Sequence, residues 1–259
     1  MENRRIPFEN IKNARDLGGL KNKEGKTIRK GMLLRSANLA ETSETDLAKL
    51  ERDYHLAMVI DLRTAAERMQ SPDVVPEDTE YVINPIFDES VVGVSHEKKE
   101  SEKEENTPIP AMEDLYRRII LNETCVERFA NAVKRVMEHD FASGSVLWHC
   151  TEGKDRCGLL AAFLLSALGV EREVILEDYL ITNETNVPKA EMLGKQLQAA
   201  GKSEQEITAL TSLLLAKESY LNAAWEVIEM QYGGMEGFLL EGLKISKETI
   251  ARFGENVLG

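Results

Sequence analysis

A cysteine and an arginine, five residues apart, stand at the centre of the run His149-Cys150-Thr151-Glu152-Gly153-Lys154-Asp155-Arg156-Cys157-Gly158. A strand-like apolar run, Ser145-Val146-Leu147-Trp148, leads in, and a helical run from Leu159 to Leu165 leads out. Strand, tight glycine loop and helix start together wrap backbone N–H groups around an anion. A cysteine at the base of such a loop makes that anion a substrate. The attacking species is a thiolate, and loop dipoles, a helix N-terminus and Arg156 all bring a thiol below its usual pKa of about 8.5. Arg156 offers a planar fork for two oxygens of a tetrahedral dianion. A phosphate monoester fits this set best. Cys150 attacks phosphorus in line, while Thr151, Glu152, Gly153, Lys154 and Arg156 hold the equatorial oxygens as charge spreads over them.

A leaving oxygen needs a proton, so a general acid is required. Asp61 closes the apolar run Ala57-Met58-Val59-Ile60 and would lie at the sheet edge where α/β folds place ligands. Asp155 lies in the loop itself. The two stand as joint candidates, ahead of Asp88, which follows the next strand. Asp140 precedes the strand that ends at Cys150 and belongs at the opposite end of the sheet. His149 is expected to orient the loop by hydrogen bonds, and Lys154 to add a second cation. Plain alternatives exist for each residue: an isolated buried cysteine is ordinarily core, an aspartate at a strand end often caps a helix, and a loop lysine is often only solvated. The joint spacing of His, Cys, Gly, Arg and Gly sets Cys150 and Arg156 apart from those alternatives.

Strands alternating with helices must position the loop. Gly31–Ser36, Ala57–Ile60, Tyr81–Ile86 and Ser145–His149 read as strands, and Asn13–Leu20 as a loop or turn. Helices are expected over about 44–54, from Thr64, over about four turns carrying Leu115, Ile119, Val126, Phe129, Val133 and Met137, and to about Leu168. The C-terminal half continues as helices near 171–182, 191–199, 204–216, 220–232 and 247–253. The pattern predicts one three-layer α/β domain over 1–259, with a mostly parallel sheet of about four or five strands and helices on both faces. Between Glu97 and Glu105 only Ser101 is uncharged, so 88–108 reads as a charged mobile loop. The helical pair near 183–217 reads as an appended cap.

Composition narrows the partners. With 45 acidic against 32 basic residues the net charge is −13, which repels nucleic acid and anionic membranes. Cys125, Cys150 and Cys157 form no disulfide framework, the N-terminal residues lack a signal-peptide core, and the longest apolar run falls short of the roughly 20 residues that span a bilayer. The expected location is the cytoplasm, with no membrane insertion.

At these residues the chain resembles the Cys-x5-Arg protein tyrosine phosphatase superfamily, and within it the bacterial and fungal branch with HCxxGKDRTG. Asn13–Leu20, Leu33–Leu39, Val59–Arg68 and Tyr232–Leu243 also match that branch, so the likeness spans most of the chain. The resemblance implies a protein tyrosine or dual-specificity phosphatase with a phosphocysteine intermediate, some phosphoinositide activity, and neither cofactor nor metal. It makes Cys150 the nucleophile and Arg156 the phosphate clamp, matches Asp61 to the branch's suggested general acid, and links Lys154 and Asp155 to catalysis and lipid phosphate recognition.

One position departs from the branch: Cys157 replaces the usual Ser or Thr after the arginine. A thiol is a weaker donor than a hydroxyl, so the expectation is slow breakdown of the phosphoenzyme. The nearby sulfurs could also form a reversible disulfide that shields Cys150 from over-oxidation. Two other readings compete with the phosphatase: a phosphate-binding module with poor turnover because of Cys157, and a sulfur-transfer enzyme using a persulfide.

Overall fold

The computed structural model describes residues 4–87 and 111–259. The charged run at 88–108, with Asp88, lies outside the described residues. In chain order the elements are β1 (Arg15–Asp16), β2 (Leu33–Ser36), α1 (Glu44–Arg52), β3 (Leu56–Asp61), α2 (Ala65–Gln70), β4 (Glu80–Ile83), α3 (Met112–Leu121), α4 (Glu123–Met137), β5 (Ser145–His149), α5 (Asp155–Ala167), α6 (Arg172–Leu180), α7 (Thr182–Ala199), α8 (Glu204–Ser212), α9 (Glu218–Tyr232), the short α10 (Met235–Gly237) running into a π-helical turn (Phe238–Gly242), and α11 (Lys247–Val257).

The sheet has the order β1-β2-β5-β3-β4, parallel except for the β1 edge. Its register sets Ser36 and Asp61 level with His149, so three strands end together beside Cys150. Side chains of β5 alternate between two apolar layers. Val146 and Trp148 join Leu33, Met58 and Ile60 in the larger core with α3, α4, α5 and α9. Leu147 joins Leu34 and Val59 in a smaller core with Ile6, Ile11, Leu39 and Leu50. Burial on both faces is why these strands read as continuous apolar runs. Each fully buried side chain of this size contributes roughly 1.5–3 kcal/mol, so packing alone suffices to fix the strand that carries the loop.

Local signals start several helices. Ser43 accepts from Asp46 N, while the Asp46 carboxylate turns to the N–H groups of Glu9, Asn10 and Ile11 and pins the N-terminal segment. Thr64 and Glu67 form a reciprocal capping box on α2, and Gly233, at φ 68°, ends α9 in the left-handed region.

Three expectations need correction. Arg15–Asp16 pairs with β2 instead of forming only a turn; two residues carry too little periodicity to announce a strand. The single amphipathic helix splits at Asn122, whose side chain caps Cys125 N and starts α4. Helix α7 begins at Thr182, well before the expected start, and runs through Pro188 because Thr182, Asn186 and Ala190 bury one face at four-residue spacing. Among the described residues no helix is long and apolar enough to cross a membrane.

Candidate active site

From Cys150 the chain turns through Thr151–Lys154 into α5. Gly153 has φ +67°, and a Cβ there would come within 2.5 Å of the Ser36 carbonyl oxygen, so glycine is what lets the loop pass the end of β2. The loop carbonyls are anchored from behind by residues of the N-terminal motifs. Asn38 Nδ2 donates to Thr151 O at 3.1 Å, Asn13 Nδ2 to Glu152 O at 2.9 Å, and Arg35 Nη2 to Gly153 O at 2.9 Å and Lys154 O at 3.4 Å. In a trans peptide N–H and C=O point opposite ways. Holding carbonyls 151–154 from behind therefore turns the N–H groups of residues 152–155 forward, at the N-terminal end of α5.

Behind the loop, Arg4 Nη1, Arg15 Nε and Arg35 Nη1 reach the buried Asp178 carboxylate at 2.7, 3.3 and 2.9 Å. Burial would raise the Asp178 pKa, but the charges of Arg15, Arg35 and Arg4 hold it below the usual range. Burial, aided by Arg35, brings Arg15 down to about 10. Three cations facing one carboxylate leave a positive field under the site, which favours a dianion in front of it.

Cys150 is buried at the base of the loop. Burial pushes its thiol up, yet the Cys157 hydrogen bond and the Arg156 charge together bring it down to about 6, so the thiolate dominates at neutral pH. Glu67 orients Arg156 through two parallel bonds, Nη1 to Oε2 at 2.7 Å and Nη2 to Oε1 at 2.5 Å, and the guanidinium lies over the Phe87 ring at 5.2 Å. Thr151 Oγ1 also donates to Glu67. Burial would raise the Glu67 carboxyl, but Arg156 holds it at about 2. Cys157 is fully buried, its thiol 3.8 Å from Ser36 O and 4.0 Å from Trp148 O; burial and the bond to Cys150 push its pKa well up.

The other predicted residues divide sharply. Asp61 is completely buried, and its oxygens take Arg63 Nε at 3.0 Å, Arg63 Nη2 at 2.8 Å and Tyr81 Oη at 2.5 Å. Asp73 joins the same group through Arg63 Nη2 and His149 Nε2, at 2.6 and 3.0 Å. Burial would lower His149, but Asp73 raises it, while its Nδ1 lies 3.3 Å from Cys150 O. Asp61, Asp73 and His149 sit within 4.8 Å of one another, yet Arg63 already bridges both carboxylates, so the group is an ion-pair network in place of a metal ligand set. Asp155 is only half-buried and takes a bond from Tyr116 Oη at 2.6 Å. The Lys154 ammonium is buried and donates to the carbonyls of Leu213 and Leu215 after α8. Glu152 pairs with Lys189 of α7 at 2.7 Å.

Glu67, Asp73, Asp178 and Tyr116 escaped the reading of the sequence. Only Glu67 carried a usable sign, the Thr64/Glu67 capping box, which announces a helix start and not a partner for Arg156.

The profile of the tyrosine phosphatase family matches residues 6–259. The chain belongs to that family and is a phosphatase. It is similar to a putative tyrosine-protein phosphatase of Cupriavidus necator, 30% identical over 241 residues covering 93% of this chain and 84% of the relative. It is also similar to the triple specificity protein phosphatase PtpB of Mycobacterium tuberculosis, 27% identical over 257 residues covering 90% and 92%. The solved Siw14 catalytic core aligns at 16% identity over 80% of this chain and 93% of that one, with a TM-score of 0.37. The family membership gives no support to the readings as a phosphate-binding module with poor turnover or as a sulfur-transfer enzyme.

Proposed function

We propose that the protein hydrolyses phosphotyrosine in proteins through a phosphocysteine on Cys150. The observation that carries the reading is the buried Cys150 at the base of a loop whose carbonyls are tied from behind, with the Arg156 guanidinium of the same loop held by Glu67. Asp155 serves as general acid in preference to Asp61. Asp155 stands partly exposed at the loop, whereas Asp61 is sealed under Arg63 and Tyr81 and acts as a scaffold for His149. Lys154 ties the loop to the segment after α8, and α7–α8 serve as a cap through the Glu152–Lys189 pair. With its ammonium on those carbonyls, Lys154 gives weak support to phosphoinositides as the main substrate. Three free cysteines fit a cytoplasmic setting.

The test compares phosphate release from phosphotyrosine peptides, phosphoserine peptides and phosphoinositide vesicles, with acid quenching to capture phosphate on Cys150. Phosphotyrosine peptides are expected to turn over fastest, with a burst of labelled protein. Faster release from the vesicles would transfer the assignment to lipids, and the absence of any acid-stable phosphoprotein would remove the covalent step.

Cys157 supports a second property of the same site. The Cys150 thiolate attacks a peroxide oxygen, giving a sulfenic acid and hydroxide; the Cys157 thiol then displaces water from that sulfur to form a disulfide. After hydrogen peroxide treatment the wild type is expected to recover activity with dithiothreitol, and Cys157→Ser to lose it irreversibly. Peroxide-treated wild type that keeps both loop thiols, or that fails to reactivate, would dismiss the disulfide.

A further inference from the structure

Tyr116 of α3 and Tyr179 of α6 are 0% and 1% exposed, yet each carries a hydroxyl that needs a partner. The two oxygens lie 2.7 Å apart, and Tyr116 Oη lies 2.6 Å from Asp155 Oδ1. A phenol has one proton to donate, and a carboxyl oxygen that carries no proton can only accept. Tyr116 therefore donates to Asp155, and Tyr179 donates to Tyr116. Packing fixes both rings. They meet edge-on with centroids 6.4 Å apart, and Tyr116 also lies against Tyr220 of α9 at 5.8 Å. Tyr179 packs so closely on α5 that a Cβ at Gly158 would come within 2.8 Å of its ring. Burial holds both phenols well above their ordinary pKa, so they remain protonated donors at neutral pH.

Among the described residues the polar contacts of the Asp155 carboxylate fall on one oxygen: Tyr116 at 2.6 Å and the Lys154 ammonium at 3.5 Å both face Oδ1. Oδ2 has no hydrogen bond among the described residues. We propose that Tyr116, backed by Tyr179, is the positioning residue for the general acid: it occupies Asp155 Oδ1 so that the transferable proton resides on Oδ2, turned to the leaving oxygen. The inference rests on Asp155 being the acid of the phosphatase reaction. In the first step the Cys150–phosphorus bond forms, the bond to the leaving oxygen breaks, and the proton on Oδ2 passes to that oxygen. In the second step water attacks the phosphocysteine, Oδ2 recovers a proton from it, and the thiolate departs. Tyr116 keeps its own proton throughout.

Protonation matters for a poor leaving group and not for a good one, which separates positioning from a general loss of structure. Tyr116→Phe, Tyr179→Phe and Asp155→Asn would be compared with the wild type by kcat/KM on phenyl phosphate and on 2,4-dinitrophenyl phosphate, with vanadate binding as a control on the loop. General acid catalysis supplies about a hundredfold or more. Asp155→Asn is expected to lose that factor on phenyl phosphate, Tyr116→Phe about tenfold, and Tyr179→Phe less, all with dinitrophenyl phosphate nearly unchanged. Equal loss on both substrates in Asp155→Asn would take down the acid assignment itself. Selective loss in Asp155→Asn with equal or no loss in Tyr116→Phe would overturn the positioning role alone. Should Tyr116→Phe fail to fold, Tyr179→Phe decides the matter by the same ratio, and an unselective loss there counts against the proposal.

Discussion

Cys150→Ser is expected to abolish phosphate release while preserving binding of vanadate or phosphotyrosine peptide, and Arg156→Lys to lower kcat/KM by about a thousandfold. A serine hydroxyl keeps the loop's shape but offers no anion near neutral pH, whereas the Cys150 thiol, at about 6, is already ionised there. Lysine keeps the charge at 156 but loses the planar fork, and with it both the paired bonds to Glu67 and the paired grip on two phosphoryl oxygens. The loss should fall chiefly on kcat, because charge on the equatorial oxygens is greatest in the transition state. Steady-state phosphate release together with equilibrium binding reads both variants. Phosphate release by Cys150→Ser at the wild-type rate would end the covalent mechanism, and an Arg156→Lys enzyme within tenfold of wild type would end the clamp.

Asp178→Asn is expected to destabilise the fold by about 3–5 kcal/mol, the usual cost of leaving buried charge uncompensated. Arg4, Arg15 and Arg35 all converge on this carboxylate, and each is buried or nearly so. Asparagine has almost the same volume, so cavity formation contributes little and the effect reports charge. At roughly 2–4 °C per kcal/mol for chains approaching this size, the midpoint of thermal unfolding should fall by on the order of 10 °C. Folded Asp178→Asn protein should also bind vanadate less tightly, since Arg35 anchors the carbonyls of Gly153 and Lys154. A midpoint within a degree of wild type would show that the three arginines are neutralised in some other way.

The loop that holds Cys150 and Arg156 was legible in the chain because a strand, a glycine turn and a helix N-terminus are contiguous, and their geometry follows from a dozen residues. The central strands β3 and β5 were legible for a related reason: burial on both faces writes a nearly uninterrupted apolar run. The surroundings of the two candidate acids were not. Asp61 and Asp155 carry the same carboxyl, and only packing shows Asp61 enclosed by Arg63, Asp73 and Tyr81 while Asp155 stays partly exposed beside Tyr116. Lys154 looks like a phosphate ligand in sequence, yet the carbonyls after α8 take its ammonium. Sequence alone determined the Cys-x5-Arg loop, its placement between a strand and a helix start, and the class of fold, since these depend on neighbours along the chain. Tertiary structure decided which carboxylate meets which cation, because pairs such as Glu67–Arg156 and Asp178–Arg35 join distant segments and depend on how helices settle on the sheet, which no local pattern encodes.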